Sequence, residues 1–230
     1  MKLHKRLIIA GQDVHLIREE VRLELQNPGR ASFTVHAQAP LQGAVSLDLG
    51  YNNDPLQRLF TGQVERCVPI NAQQQQVYCR ELTAVLHTPM PLALRHADLA
   101  QVLGEIGRLT GMELQVPEAA YARHRAPCFY SLGNGLQAVD SLRQVFAIDD
   151  FVWQQQSDGR LFAGAWADSE WGQRAPLELP PQLFEAVQGN QRALIAALPG
   201  LRPGASFNHR QRIVSITLSD SKMAVKWKTQ

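Results

Sequence analysis

The chain has 230 residues, 45% of them apolar and 19% charged, with 23 Lys and Arg against 21 Asp and Glu for a formal net charge of +2. At this size folding removes roughly 70% of the unfolded chain's surface from water, so a core forms without staples, and length alone allows one or two domains. The near-average composition argues against long disorder, and a balance this close to neutral gives no electrostatic case for nucleic-acid binding.

Residues 1–88 read as strands. Leu7-Ile8-Ile9, Gly11-Gln12 and Val14-His15-Leu16 predict a tight N-terminal hairpin. Val21–Leu25 and Ser32–Ala37 alternate apolar and polar side chains, with Asn27-Pro28-Gly29 between them as turn chemistry. Ala44–Tyr51, Arg58–Val68 and Val77–Leu82 follow, the last two joined through a polar tip at Asn71–Gln76. About six strands without an intervening helix predict an antiparallel barrel or sandwich.

The period changes in residues 89–176. Leu99, Val102, Leu103, Ile106 and Leu109 form one helical stripe, with Asp98 and Gln101 as a capping box and Gly111 as the stop. Gly104 and Gly107 inside this helix cost about 1 kcal/mol each relative to Ala, so it must lean on tertiary packing. Met112–Val116 alternates as a strand, and a second helix runs from about Gly135 to Phe146 with Asn134 as its cap. Phe151–Gln156 and Arg160–Ala163 make a hairpin around Ser157-Asp158-Gly159. In residues 177–230, Leu201-Arg202-Pro203-Gly204 is a turn, and Arg212–Leu218 and Met223–Trp227 are strands. The expected fold is mainly β with an α+β insert: an N-terminal antiparallel β-barrel (1–88), an α+β domain (89–176) and strands of a second, reduced barrel (177–230).

Charge is distributed unevenly along these segments. The net values are +1, −3 and +4 in chain order, the last from Arg192, Arg202, Arg210, Arg212, Lys222, Lys226 and Lys228 against three acidic residues. Spacing this loose reads as a solvated face or a subunit contact. Apolar stretches such as Leu7–Ala10 fall far short of the roughly 18 residues of a membrane-spanning helix. The basic start Met1–Arg6 precedes an apolar run too short for a signal peptide, so no export signal is expected. Cys67, Cys79 and Cys128, with no CxxC spacing, read as cytoplasmic thiols or small core residues.

No stretch carries a catalytic motif. GxSxG, HExxH, a P-loop and a dinucleotide fingerprint are all missing. His4, His15, His36, His87, His96, His124 and His209 are isolated from one another in sequence. The pairs Glu19-Glu20 and Asp149-Asp150 read as turn and surface charge rather than an acid–base pair, because neighbours in a strand point to opposite faces and in a loop nothing fixes them. Gly133-Asn134-Gly135 reads as a turn and helix cap rather than an anion cradle, for it lacks the Lys and Ser/Thr of a nucleotide loop. The polar loop between Trp166 and Trp171 is a candidate for packing, an interface or sugar binding. No catalytic, cofactor-binding or metal-binding residue is assigned, and no cofactor or enzymatic activity is expected.

The order of certain phrases resembles the baseplate hub proteins of phage tails, the Mu-like and P2-like families related to the base of the type VI secretion spike. They are Phe60-Thr61-Gly62-Gln63-Val64, Val77–Leu82, the helix phrase His96–Ile106, the hairpin Phe151–Phe162, Leu201–Gly204, Ile213–Ile216 and Val225-Lys226-Trp227. Together they cover nearly the whole chain. The resemblance implies a structural virion protein of the tail tip, assembled in the host cytoplasm. It further implies a homotrimeric ring whose pseudo-sixfold surface meets the hexameric tail tube or a distal tail protein on one side. A central spike or fibre would sit on the other side, with DNA passing through the ring without specific binding and without a membrane partner. A hexameric distal-tail or tube-completion protein, a carbohydrate-binding module using the Trp166–Trp171 loop, and a peptidoglycan-cutting tail enzyme are the alternatives.

Overall fold

Alternating apolar side chains carry the first third of the chain into seven strands, in a computed structural model that describes residues 2–208 and 211–229. They are β1 (Leu3–Ile9), β2 (Gln12–Val14), β3 (Leu16–Glu24), β4 (Asn27–His36), β5 (Ala44–Tyr51), β6 (Gln57–Asn71) and β7 (Gln74–Glu81). In β3 the side chains of Val21 and Leu23 are buried while those of Arg22 and Glu20 are exposed, the period-2 pattern read from the sequence. Two details differ from expectation. The β3–β4 turn falls at Leu25-Gln26, with Gln26 at a φ of +58°, and Asn27-Pro28-Gly29 lies inside β4. Pro28 and Gly29 sit where the β3–β4 register slips between Arg22 and Glu24, a bulge that tolerates a residue without an N–H. Likewise the β6–β7 turn is Ala72-Gln73, so Gln74–Gln76 are strand residues and Gln75 is buried.

Residues 82–175 form a separate compact unit. Its elements are β8 (Leu92–Ala97), α1 (Leu99–Thr110), β9 (Leu114–Gln115), β10 (Ala126–Ser131), α2 (Gly135–Val145), β11 (Phe151–Gln155), β12 (Leu161–Ala165) and the single turn α3 (Glu170–Gln173). The expected capping box is present: Asp98 accepts from the Gln101 amide at 2.9 Å, and Gln101 Oε1 accepts from the Asp98 amide at 3.0 Å. Gly111 ends α1 in the left-handed region at φ +71°. Leu99, Val102, Leu103 and Ile106 pack with Val139 and Leu142 of α2 and with Trp153 in one core, whereas Leu109 is exposed. The two-stranded β8–β10 ribbon has no counterpart in the sequence reading. β12 pairs with β11 antiparallel and with the short β9 parallel.

The last segment, β13 (Phe184–Gln188), β14 (Arg192–Ala196), β15 (Ser206–Phe207), β16 (Gln211–Ser219) and β17 (Lys222–Thr229), belongs to the same unit as residues 1–81. The joint is β16 against β3, from Ser215 opposite Glu24 to Ser219 opposite Glu20. The result is a 12-stranded sheet in the order β13-β14-β17-β16-β3-β4-β7-β6-β5-β1-β2, with β15 beside β16. Among the described residues no closed barrel is found. The edge of β3 is occupied by β16, the sheet grows sideways through β17, β14 and β13, and its path stays open at β2 and β13. The C-terminal strands therefore pair within the chain, and β13 is left as the edge at that end of the described sheet. Phe33 and Phe60 pack edge to face under the N-terminal strands, and Phe184, Phe207 and Trp227 form an aromatic cluster under the C-terminal ones.

Candidate interaction surface

Among the described residues no group of three or more His, Cys, Asp and Glu is placed to hold a metal ion. His15 and His36 bring their rings within 6.3 Å; His4, His87, His96 and His124 are exposed and separate, and His209, like Arg210, lies outside the described residues. Glu19 and Glu20 do point to opposite faces. Glu19, read as surface charge, is instead buried on the inner face of β3 and paired with Lys5, and burial raises its carboxyl above the ordinary carboxylate range. Glu20 faces solvent.

The other sequence candidates are taken up by structure. Asn134 caps α2 by accepting from the Gln137 amide at 3.0 Å, and the Gly135 amide donates to the Thr88 carbonyl, as the turn-and-cap reading expects. Trp171 is buried with the Arg174 guanidinium 4.7 Å above its ring, which covers the face a sugar would stack on. Nearby, Asp168 accepts from the Tyr121 hydroxyl at 2.6 Å. Burial and that carboxylate together raise the Tyr121 phenol. Asp150 gives its carbonyl to the Trp166 amide, which holds that part of the Asp149-Asp150 loop.

In the large sheet, sequence reasoning missed a buried charge pair. Glu81, at the end of β7, is 4% exposed and Arg202 is 6% exposed, so Arg202, read as part of a loosely spaced solvated or contact series, is buried instead. Arg202 donates to Glu81 Oε1 at 2.7 Å and to the Leu59 carbonyl, while Glu81 Oε2 accepts from the Gly29 amide at 2.8 Å. Burial raises the Glu81 carboxyl and Arg202 opposes that rise. The loop before β15 is thereby tied to β4, β6 and β7. Partners separated by 52 and 121 residues leave no local signal to read. Gly29, read as a turn residue, is instead a close-approach glycine, for a Cβ there would stand 2.6 Å from Leu23 and 2.8 Å from the Glu81 carboxylate. Arg212 is buried too.

The opposite, solvent-facing side of the sheet carries its charge in register. Arg22 on β3 stands directly across from Arg30 on β4, and Arg30 across from Arg80 on β7. Each outer arginine of this row has a glutamate: Arg22 donates to Glu24 at 2.8 Å through Nε, and Arg80 to Glu65 at 3.2 Å. Arg30, between them, has no ion pair among the described residues. One row further, Tyr78 faces Arg66, whose guanidinium lies 4.7 Å over the ring.

The fold of the chain is similar to those of phage tail proteins and of a type VI secretion component, so the likeness read from the ordered phrases holds at the level of fold. The chain superposes on the 43 kDa tail protein of prophage MuSo2 from Shewanella oneidensis with a TM-score of 0.74, at 12% identity over 99% of this chain and 98% of that one. On the Escherichia coli c3393 protein, a component of the type VI secretion system, the TM-score is 0.63 at 13% identity, over 98% and 77% of the two chains. By sequence, the chain is 30% identical over 209 residues to an uncharacterised 58.7 kDa protein from the lys 3' region of Haemophilus phage HP1 (strain HP1c1). That match takes in 90% of this chain and 39% of the phage protein, so the chain spans about two fifths of that curated relative. No family model matches the chain.

Proposed function

We propose that this chain is a structural hub of a phage tail tip or baseplate, forming a trimeric ring that adapts the hexameric tail tube to a central spike or fibre. The observation that supports it most is the likeness of fold to a prophage tail protein along essentially the whole length of both chains. In this reading residues 1–88 and 177–230 supply the ring surfaces and residues 89–176 an inserted unit. The partners are two further copies, a tube or distal tail protein and a spike or fibre, and the setting is the virion. The work is adhesion and alignment rather than catalysis, consistent with polar groups that are engaged in structural pairs. The open β13 edge, where Val187 is 67% exposed, is a template on which a neighbouring copy can pair.

The test is the solution mass of the purified chain by light scattering at several concentrations. A trimer is expected. A hexamer would replace the hub with a distal-tail or tube-completion role, and a monomer at every concentration, with tail tube protein added, would overturn the ring.

A further inference from the structure

Like charges directly opposite one another destabilise a sheet, and three arginines abreast on β3, β4 and β7 are such an arrangement. Neighbouring strands lie about 4.8 Å apart, so the row places three guanidinium groups across roughly 10 Å. We infer that this face of the sheet docks a partner protein through a matching row of carboxylates, with Arg30 at its centre. Acidic side chains at i, i+3 or i+4, and i+7 on one helix face span about 10.5 Å, the same interval. Arginine is suited to this task because its planar fork binds a carboxylate through two parallel hydrogen bonds.

The rest of the face selects among occupants. A shallow depression beside the row is lined by Glu20, Ser32 and Tyr78 together with Arg22 and Arg30. Glu20, Glu24 and Glu65 interleave with the arginines. A phosphate backbone would meet these carboxylates as repulsion, whereas nucleic-acid surfaces call for a uniform basic stripe. A protein with charges of both signs meets them as register. A second copy packed on the same face across a twofold axis would set arginine against arginine, and a neighbour in a ring would have to bring a different, acidic face; the occupant inferred is a different chain. Tyr78, half open beside Arg66, adds an aromatic anchor of the kind that concentrates binding energy. This inference stands apart from the ring stoichiometry, since a trimer with no acidic partner and an acidic partner on a monomer are both observable.

The experiment uses the full chain and three probes: a synthetic helical peptide with glutamates at i, i+4 and i+7, the same peptide with lysines there, and a mixed-sequence DNA duplex. Binding is followed by fluorescence anisotropy at low and physiological salt. The glutamate peptide is expected to bind, to weaken as salt rises, and to lose at least about tenfold in affinity on Arg30→Glu, with Arg30→Lys intermediate. Light scattering of Arg30→Glu is expected to give the wild-type mass. Equal affinity of the glutamate peptide for wild type and Arg30→Glu would overturn the site. Tighter binding of the duplex than of the peptide would transfer the face to nucleic acid, and a changed mass for Arg30→Glu would transfer it to a second copy.

Discussion

Replacing Arg202 with methionine removes the two donors that reach Glu81 and the Leu59 carbonyl and leaves the Glu81 carboxylate in the sheet with the Gly29 amide as its remaining described contact. Each charge-assisted bond is worth about 1.5–3 kcal/mol, and breaking one side of a buried pair costs about 3–5 kcal/mol because the other charge is stranded. Burial already holds the Glu81 carboxyl above its ordinary value of 4.5. The folded state therefore binds that proton more readily than the unfolded one, and the contribution of Glu81 to stability falls as pH rises from the ordinary value through the folded one. Without Arg202 the folded value climbs further and the window widens upward. The deficit of Arg202→Met relative to wild type should thus be smallest near pH 4 and grow toward neutrality. Urea denaturation followed by circular dichroism in the sheet band measures it, since the unit concerned holds a 12-stranded sheet. Adding Glu81→Gln, which removes the charge and keeps an acceptor for Gly29, should restore most of the loss. A deficit under about 1 kcal/mol, or one independent of pH, would refute the reasoning.

Three more outcomes follow from single positions. Gly104→Ala should stabilise the unit holding α1 by up to about 1 kcal/mol, because nothing stands within 4 Å of a Cβ there, whereas Gly107→Ala drives a methyl to 2.6 Å from Leu114 and should destabilise it. Thermal melts that rank the two variants the same way would contradict this. Gly29→Ala should cost about 1–3 kcal/mol by overpacking Leu23 and Glu81, read as a lowered urea midpoint with an unchanged slope. Finally, an aromatic disulfide reagent should modify the exposed Cys128 quickly in the native protein and leave Cys79 intact until unfolding, because burial pushes the Cys79 thiol up to about 12. Rapid native modification of Cys79 would contradict its placement.

What could be read from the sequence was what is short in range. The α1 capping box, its Gly111 stop, the Asn134 cap and the alternation within β3, β4 and β16 each lie within a few residues and came through. The misreading of Asn27-Pro28-Gly29 has a physical cause: a proline and a glycine signal a turn locally, yet here they serve a bulge and a close approach fixed by Glu81, 52 residues away. β13 and β14 were missed in a stretch containing Pro180-Pro181 and Gly189-Asn190, where turn residues mask two five-residue strands. The barrel expectation failed because alternation specifies which face of a strand is buried and says nothing of which strand lies next to it. The Arg22–Arg30–Arg80 row was hidden for the same reason. Arg22 and Arg80 sit in strands that were recognised, and Arg30 just before the strand read from Ser32, but the register that aligns them was not available from any one segment.

The pairing of β16 with β3 joins segments nearly 200 residues apart, and the whole of residues 82–175 is threaded between them. On a ribosome that order has a consequence. The inserted unit is contiguous and can condense as soon as it clears the exit tunnel, while the strands made before it must wait with the edge of β3 bare. Sheets built from such distant partners form slowly, and a bare edge is open to wrong partners in the meantime. The strands that cover that edge are made only after the inserted unit, so the chain remains vulnerable to misassociation until translation has passed β16 and β17.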